Sequence, residues 1–65
     1  MQTGIVKFFN IEKRYGFIKA DDDGKDYFVH QNNIKDGKTI TQGDSVKFEL
    51  IDGKKGEMCD KVEVV

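Results

Sequence analysis

Tyr15, Phe17, Phe28 and His30 are the side chains whose types and spacing could act on a ligand. They fall in two short runs, Lys13-Arg14-Tyr15-Gly16-Phe17-Ile18-Lys19 and Asp26-Tyr27-Phe28-Val29-His30. Read as strands, each run alternates its side chains between two faces. Tyr15 and Phe17 then share one face, opposite Gly16 and Ile18. Phe28 and His30 share a face, opposite Tyr27 and Val29. If the two strands pair in register, these four side chains form one flat patch. The chemistry open to it is stacking: bases of a single-stranded nucleic acid lie on the rings while nearby cations meet the phosphates. Rings can equally be core. Two details favour the surface: Ile18 and Val29 on the opposite face are better core residues, and the ring face ends in His30 and begins near Lys13, which suits water.

The elements that position the patch follow from the punctuation. Asp21-Asp22-Asp23-Gly24-Lys25 is rich in turn formers and predicts a hairpin between the two runs. Gly4 to Asn10 reads as a first strand, β-branched and aromatic. Phe8 and Phe9 are adjacent and must point to opposite faces, one to the core and one to the patch side; alternation leaves open which. A bulge here would bring Lys7 to the patch as well. The second strand runs from Tyr15 to Lys19 and the third from Asp26 to Gln31. Gln31 to Thr41 is polar, with room for one helical turn that tucks Ile34 inward. Ser45 to Ile51 alternates cleanly, with Val46, Phe48 and Leu50 inward and Lys47 and Glu49 outward. A turn at Asp52-Gly53-Lys54-Lys55-Gly56 leads to a fifth strand, Glu57 to Val65, with Val62 and Val64 on one face. Five short strands with regular turns and no helical periodicity predict an all-β fold, a small five-stranded antiparallel barrel whose closure removes the sheet edges.

Composition bounds the rest. The chain has 65 residues, which is one domain with a small core. Eleven Lys and Arg face twelve Asp and Glu, a formal net charge of −1. That argues against binding duplex DNA through bulk positive charge but not against stacking. No apolar run approaches the roughly 20 residues that span a bilayer, and no basic-then-apolar signal opens the chain, so a soluble, cytoplasmic protein is expected. The single cysteine, Cys59, cannot form an internal disulfide and is expected as a small buried residue. The three aspartates of the turn lack the alternation, glycine and closing glutamate of a calcium loop, so no metal is expected, and no cofactor.

The two central runs, after Gly4-Ile5-Val6-Lys7-Phe8-Phe9-Asn10 and before Gly43-Asp44-Ser45-Val46-Lys47-Phe48, resemble the bacterial cold-shock proteins, the single-domain form of the cold-shock domain. The resemblance covers residues 1–65. The central runs are similar to that family's two ribonucleoprotein motifs. The resemblance implies a Greek-key barrel with the oligonucleotide/oligosaccharide-binding (OB) fold. It also implies binding of single-stranded RNA and DNA with low sequence specificity by a monomer, and an ATP-independent RNA chaperone that acts on transcription antitermination and translation. It puts stacking residues at Phe8, Tyr15, Phe17, Phe28 and His30, and polar or basic contacts at Lys7, Asn10, Lys13 and Lys55. The chain departs from the family in four places. Phe8 replaces the usual tryptophan, Arg14 a glycine, and Gln31 a common aromatic; the following loop is short and lacks an aromatic at Lys38 or Thr39.

Other classes fit less well. An RNA recognition motif shares the glycine–aromatic signature but needs two helices and the reverse motif order. A peptide-binding barrel of the SH3 kind would bring tryptophan and an acidic cluster beside the groove. An enzyme is not expected: His30 is the only histidine, and no nucleophile stands in an activating motif. Two stacking platforms of the family are missing here, and each stacked base contributes roughly 1–3 kcal/mol. Affinity for oligothymidine should therefore be lower than that of a family member carrying both aromatics. Equal dissociation constants in a side-by-side titration would refute this.

Overall fold

The computed structural model describes residues 1–53 and 56–65. It contains five strands: β1 (Gln2–Asn10), β2 (Tyr15–Ala20), β3 (Asp26–His30), β4 (Ser45–Gly53) and β5 (Gly56–Val64). They close into a barrel in the order β1-β2-β3-β5-β4. Four of the five seams are antiparallel, and the β3–β5 seam is parallel, bridged at Phe28 and Met58. Parity requires this, because strands cannot alternate up and down around a ring with an odd number of members. The parallel seam needs a crossover, which residues 31–44 supply.

That crossover starts earlier than the pattern suggests. β3 ends at His30, and Gln31–Asn33 and Lys35–Gly37 form two short 3-10 turns. The imidazole Nδ1 of His30 accepts the backbone N–H of Asn32 at 3.1 Å, capping the first turn. Ile34, only 5% exposed, enters the core as expected, and Ile40 does too at 1%. Both belong to the crossover, and Ile34 bridges to Val62 of β5.

Among the described residues, every buried side chain is apolar. Val6, Ile18, Val29, Val46, Phe48, Cys59 and Val62 are essentially inaccessible, and Phe9, Tyr27 and Leu50 pack against them. Burying one such aliphatic or phenyl side chain stabilises by about 1.5–3 kcal/mol. Desolvation pushes the Cys59 thiol up to about 12, so it stays protonated and unreactive. Val64 faces Val46 across the β4–β5 seam but lies at the barrel mouth, 46% exposed. Tyr27 donates its hydroxyl to Asp23 at 2.6 Å, and Lys25 N–H donates to the same carboxylate at 2.9 Å. These bonds hold the Asp23 carboxyl below its ordinary 3.8, the Tyr27 contact chiefly, and push Tyr27 up to about 12. The lowered carboxyl stabilises the turn above that ordinary value, and the contribution is lost as pH falls through the folded value.

Two β-bulges set which side chains face out. On β1, Val6 opposes Ile18 and Phe8 opposes Phe17, so Lys7 is the extra residue. Without it, Phe8 would follow Val6 inward by strict alternation. The bulge turns Phe8 outward and leaves Phe9 on the core side, opposite Gly16. On β5, Lys61 and Val62 together oppose Phe48, and Lys61 takes a φ of 50°. This keeps both Cys59 and Val62 inside although they are three residues apart.

Gly16 makes the first arrangement possible. A β-carbon there would run into the Phe8 carbonyl oxygen and lie 2.8 Å from both the Cα and a ring carbon of Phe9. Gly16→Ala should cost about 1–3 kcal/mol, the usual range for overpacking. A thermal melt followed by circular dichroism should show the midpoint falling by roughly 4–8 °C per kcal/mol for a domain of this size. An unchanged midpoint would mean that β1 yields freely.

Candidate nucleic-acid interface

Register builds the site. Tyr15 opposes His30 and Phe17 opposes Phe28 across the β2–β3 seam, as the in-register hairpin predicts. The Lys7 bulge adds Phe8 beside Phe17. Phe8, Phe17 and Phe28 thus form a row across three strands, with Tyr15 and His30 beside it. Ring centroids lie 5.6 Å apart for Phe8–Phe17 and 6.0 Å for Phe17–Phe28. Tyr15 stacks on Phe28 at 5.8 Å with planes 20° apart and meets Phe8 and Phe17 edge-on. Such pairs contribute about 0.5–1.5 kcal/mol each beyond area burial, so the rings brace one another. They remain partly open to solvent, Phe8 at 36%. Together they form a contiguous, half-open face on the outside of β1, β2 and β3.

The polar frame divides into two kinds of residue. Lys7 carries its ammonium to Asp26 on β3, 2.7 Å away. This places a cation at the end of the patch, already partnered by a carboxylate. Asn10 turns inward on its own loop: its Oδ1 accepts the Lys13 backbone N–H at 3.0 Å and pins the β1–β2 turn. Lys13 is exposed on that turn. Arg14 follows in left-handed conformation, φ 59°, and its carbonyl accepts the Gln31 N–H at 2.8 Å. The Gln31 side-chain amide donates to the carbonyls of Gly37 and Lys38. At the position where an aromatic would add a platform, this chain has a clamp on the crossover. His30, with Nδ1 engaged by Asn32, has Nε2 as its remaining ring nitrogen. Lys55 lies outside the described residues.

The alternation reading missed Met58. It meets Phe28 across the parallel seam and lines an open groove of about 630 Å³ with Phe28, His30, Asn32 and Gly53. Its thioether lies over Gly53, where a β-carbon would come within 2.7 Å of the sulfur. Ile51, opposite Met58 and 37% exposed, prolongs the strip onto β4. No local signal marks Met58, because only barrel closure brings β5 beside β3. Among the described residues, no cluster of His, Cys, Asp or Glu is placed to hold a metal. Among the described residues, no helix is long and apolar enough to cross a membrane.

The family described as the 'Cold-shock' DNA-binding domain matches residues 2–65. The cold shock-like protein CspLB of Listeria monocytogenes is 48% identical over 64 residues, covering 95% of this chain and 96% of that protein. The cold shock-like protein CspD of Bacillus cereus shows the same identity and coverage. A cold shock protein of Arthrobacter globiformis is 43% identical over the whole of both chains. A closed five-stranded barrel, a ring row across its first three strands and matches of this extent lead to one conclusion: the chain belongs to the cold-shock domain family.

Proposed function

We propose that this protein binds single-stranded RNA and DNA by stacking unpaired bases on Phe8, Tyr15, Phe17, Phe28 and His30. The carrying observation is the continuous, partly exposed ring row across β1, β2 and β3. Each stacked base contributes roughly 1–3 kcal/mol and every base has a face to offer, so sequence preference is weak. Lys7 and Lys13, with Lys55 and the amide of Asn10, supply the polar contacts. The net charge of −1 leaves few cations for the phosphates. The salt slope is therefore modest, since each neutralised phosphate adds only about 0.7 for single strands. Duplex binds poorly because its bases are already stacked on each other. Holding bases unpaired withdraws them from hairpins, so the protein acts as an RNA chaperone without ATP, and antitermination and translational control follow. It works as a cytoplasmic monomer and a binder, not a catalyst.

The deciding experiment is fluorescence anisotropy of a labelled oligouridine with the wild type and with the Phe17→Ala, Phe28→Ala double variant, at two salt concentrations. Circular dichroism confirms that the variant is folded. The double variant should lose about 2–6 kcal/mol of binding if each ring carries one base. Equal affinity in the folded variant, or no binding by the wild type, would overturn the reading.

A further inference from the structure

Arg14 closes the β1–β2 turn in a conformation that favours glycine, and no described contact of its side chain offsets the strain. It takes φ 59°, a region where a β-carbon crowds the following carbonyl oxygen and glycine is favoured. Lys61, the other described non-glycine residue at positive φ, has a structural explanation: it forms the β5 bulge opposite Phe48 and lies 3.5 Å from Glu49. Arg14 forms no bulge. It is exposed, and no hydrogen bond or ion pair of its guanidinium with a described residue offsets the conformation. Its backbone is nonetheless well held, since its carbonyl accepts the Gln31 N–H. It directly precedes Tyr15, whose cross-strand partner is His30. The strained residue is thus anchored through its backbone at the Tyr15–His30 corner of the ring row. The turn explains the conformation but not the arginine that occupies it, and strain kept with no compensating side-chain contact points to a functional constraint.

We propose that Arg14 is a binding residue for the phosphate of the nucleotide crossing the Tyr15–His30 corner. This rests on the platform reading above. The ammonium of Lys7 is already engaged by Asp26, so a further cation at this corner matters more than its share of the charge count. A guanidinium grips phosphate oxygens two at a time, whereas an ammonium acts as a point charge. The protein gives up stability at position 14 to hold a cation there.

The test compares the wild type with Arg14→Gly and Arg14→Lys, using thermal melts and anisotropy of labelled oligouridine across a salt series. Arg14→Gly should melt at or above the wild-type midpoint, because glycine relieves the strain. Its slope of log affinity against log salt should fall by about 0.7, the loss of one phosphate contact. Affinity should drop roughly five- to tenfold near 50 mM salt and converge with wild type as salt approaches 1 M. Arg14→Lys should keep the slope and bind between the two. An unchanged slope in Arg14→Gly, with wild-type binding intact, overturns the role of Arg14 alone. A lower melting midpoint for Arg14→Gly would show that the arginine serves the fold, and would also overturn it. If the wild type binds no oligouridine, the platform and Arg14 fall together.

Discussion

The interior of this barrel is small, and that constraint shapes everything outside it. Among the described residues, ten side chains are buried, and Phe48 is the one ring among them. Interiors tolerate little added volume, so the remaining rings cannot all go inside. Phe9 and Tyr27 pack at the margin. Phe8, Tyr15, Phe17 and Phe28 are left for the outer face. An exposed apolar face costs a small domain solubility and stability. It persists here because the strands beneath it are packed on the other side by Ile18, Val29 and Val6.

The same strands make the outer face rigid. Phe8, Phe17 and Phe28 are fixed by cross-strand register, and Gly16 lets β1 approach close enough for that register to form. Ordering side chains on binding costs free energy, and a surface already held in place reduces that cost. The crossover contributes as well. His30 caps its first turn and Gln31 clamps its far end, so the corner at Tyr15 and His30 is tied to the loop that follows.

Charge has a secondary part. Eleven cations against twelve anions cannot produce a strong attractive field, and several of these groups neutralise one another. Glu63 faces Lys35 and Lys47, and Glu49 faces Lys61, at 3.5–3.8 Å on exposed positions. Such pairs add little stability. They do engage Lys35, Lys47 and Lys61 with carboxylates, which lowers the number of cations left for a ligand.

Much of this was legible in the sequence because it depends on local periodicity and turn chemistry. Alternation in Tyr15–Lys19 and Asp26–His30 separates ring face from core face, Asp-Gly marks the hairpin, and Val46, Phe48 and Leu50 identify β4. The alternation around Phe8 and Phe9 was undecidable locally. A bulge reverses parity, and its place depends on which partner strand the chain meets, which is a tertiary fact. Met58 was invisible for the same reason: a parallel seam between β3 and β5 exists only once an odd-membered ring closes. The strain at Arg14 was hidden too, since a residue type does not reveal its φ. Residue type and local period set which faces carry rings and which pack inward. Register and closure set which neighbours share a face across the seams, because both follow from filling one common interior.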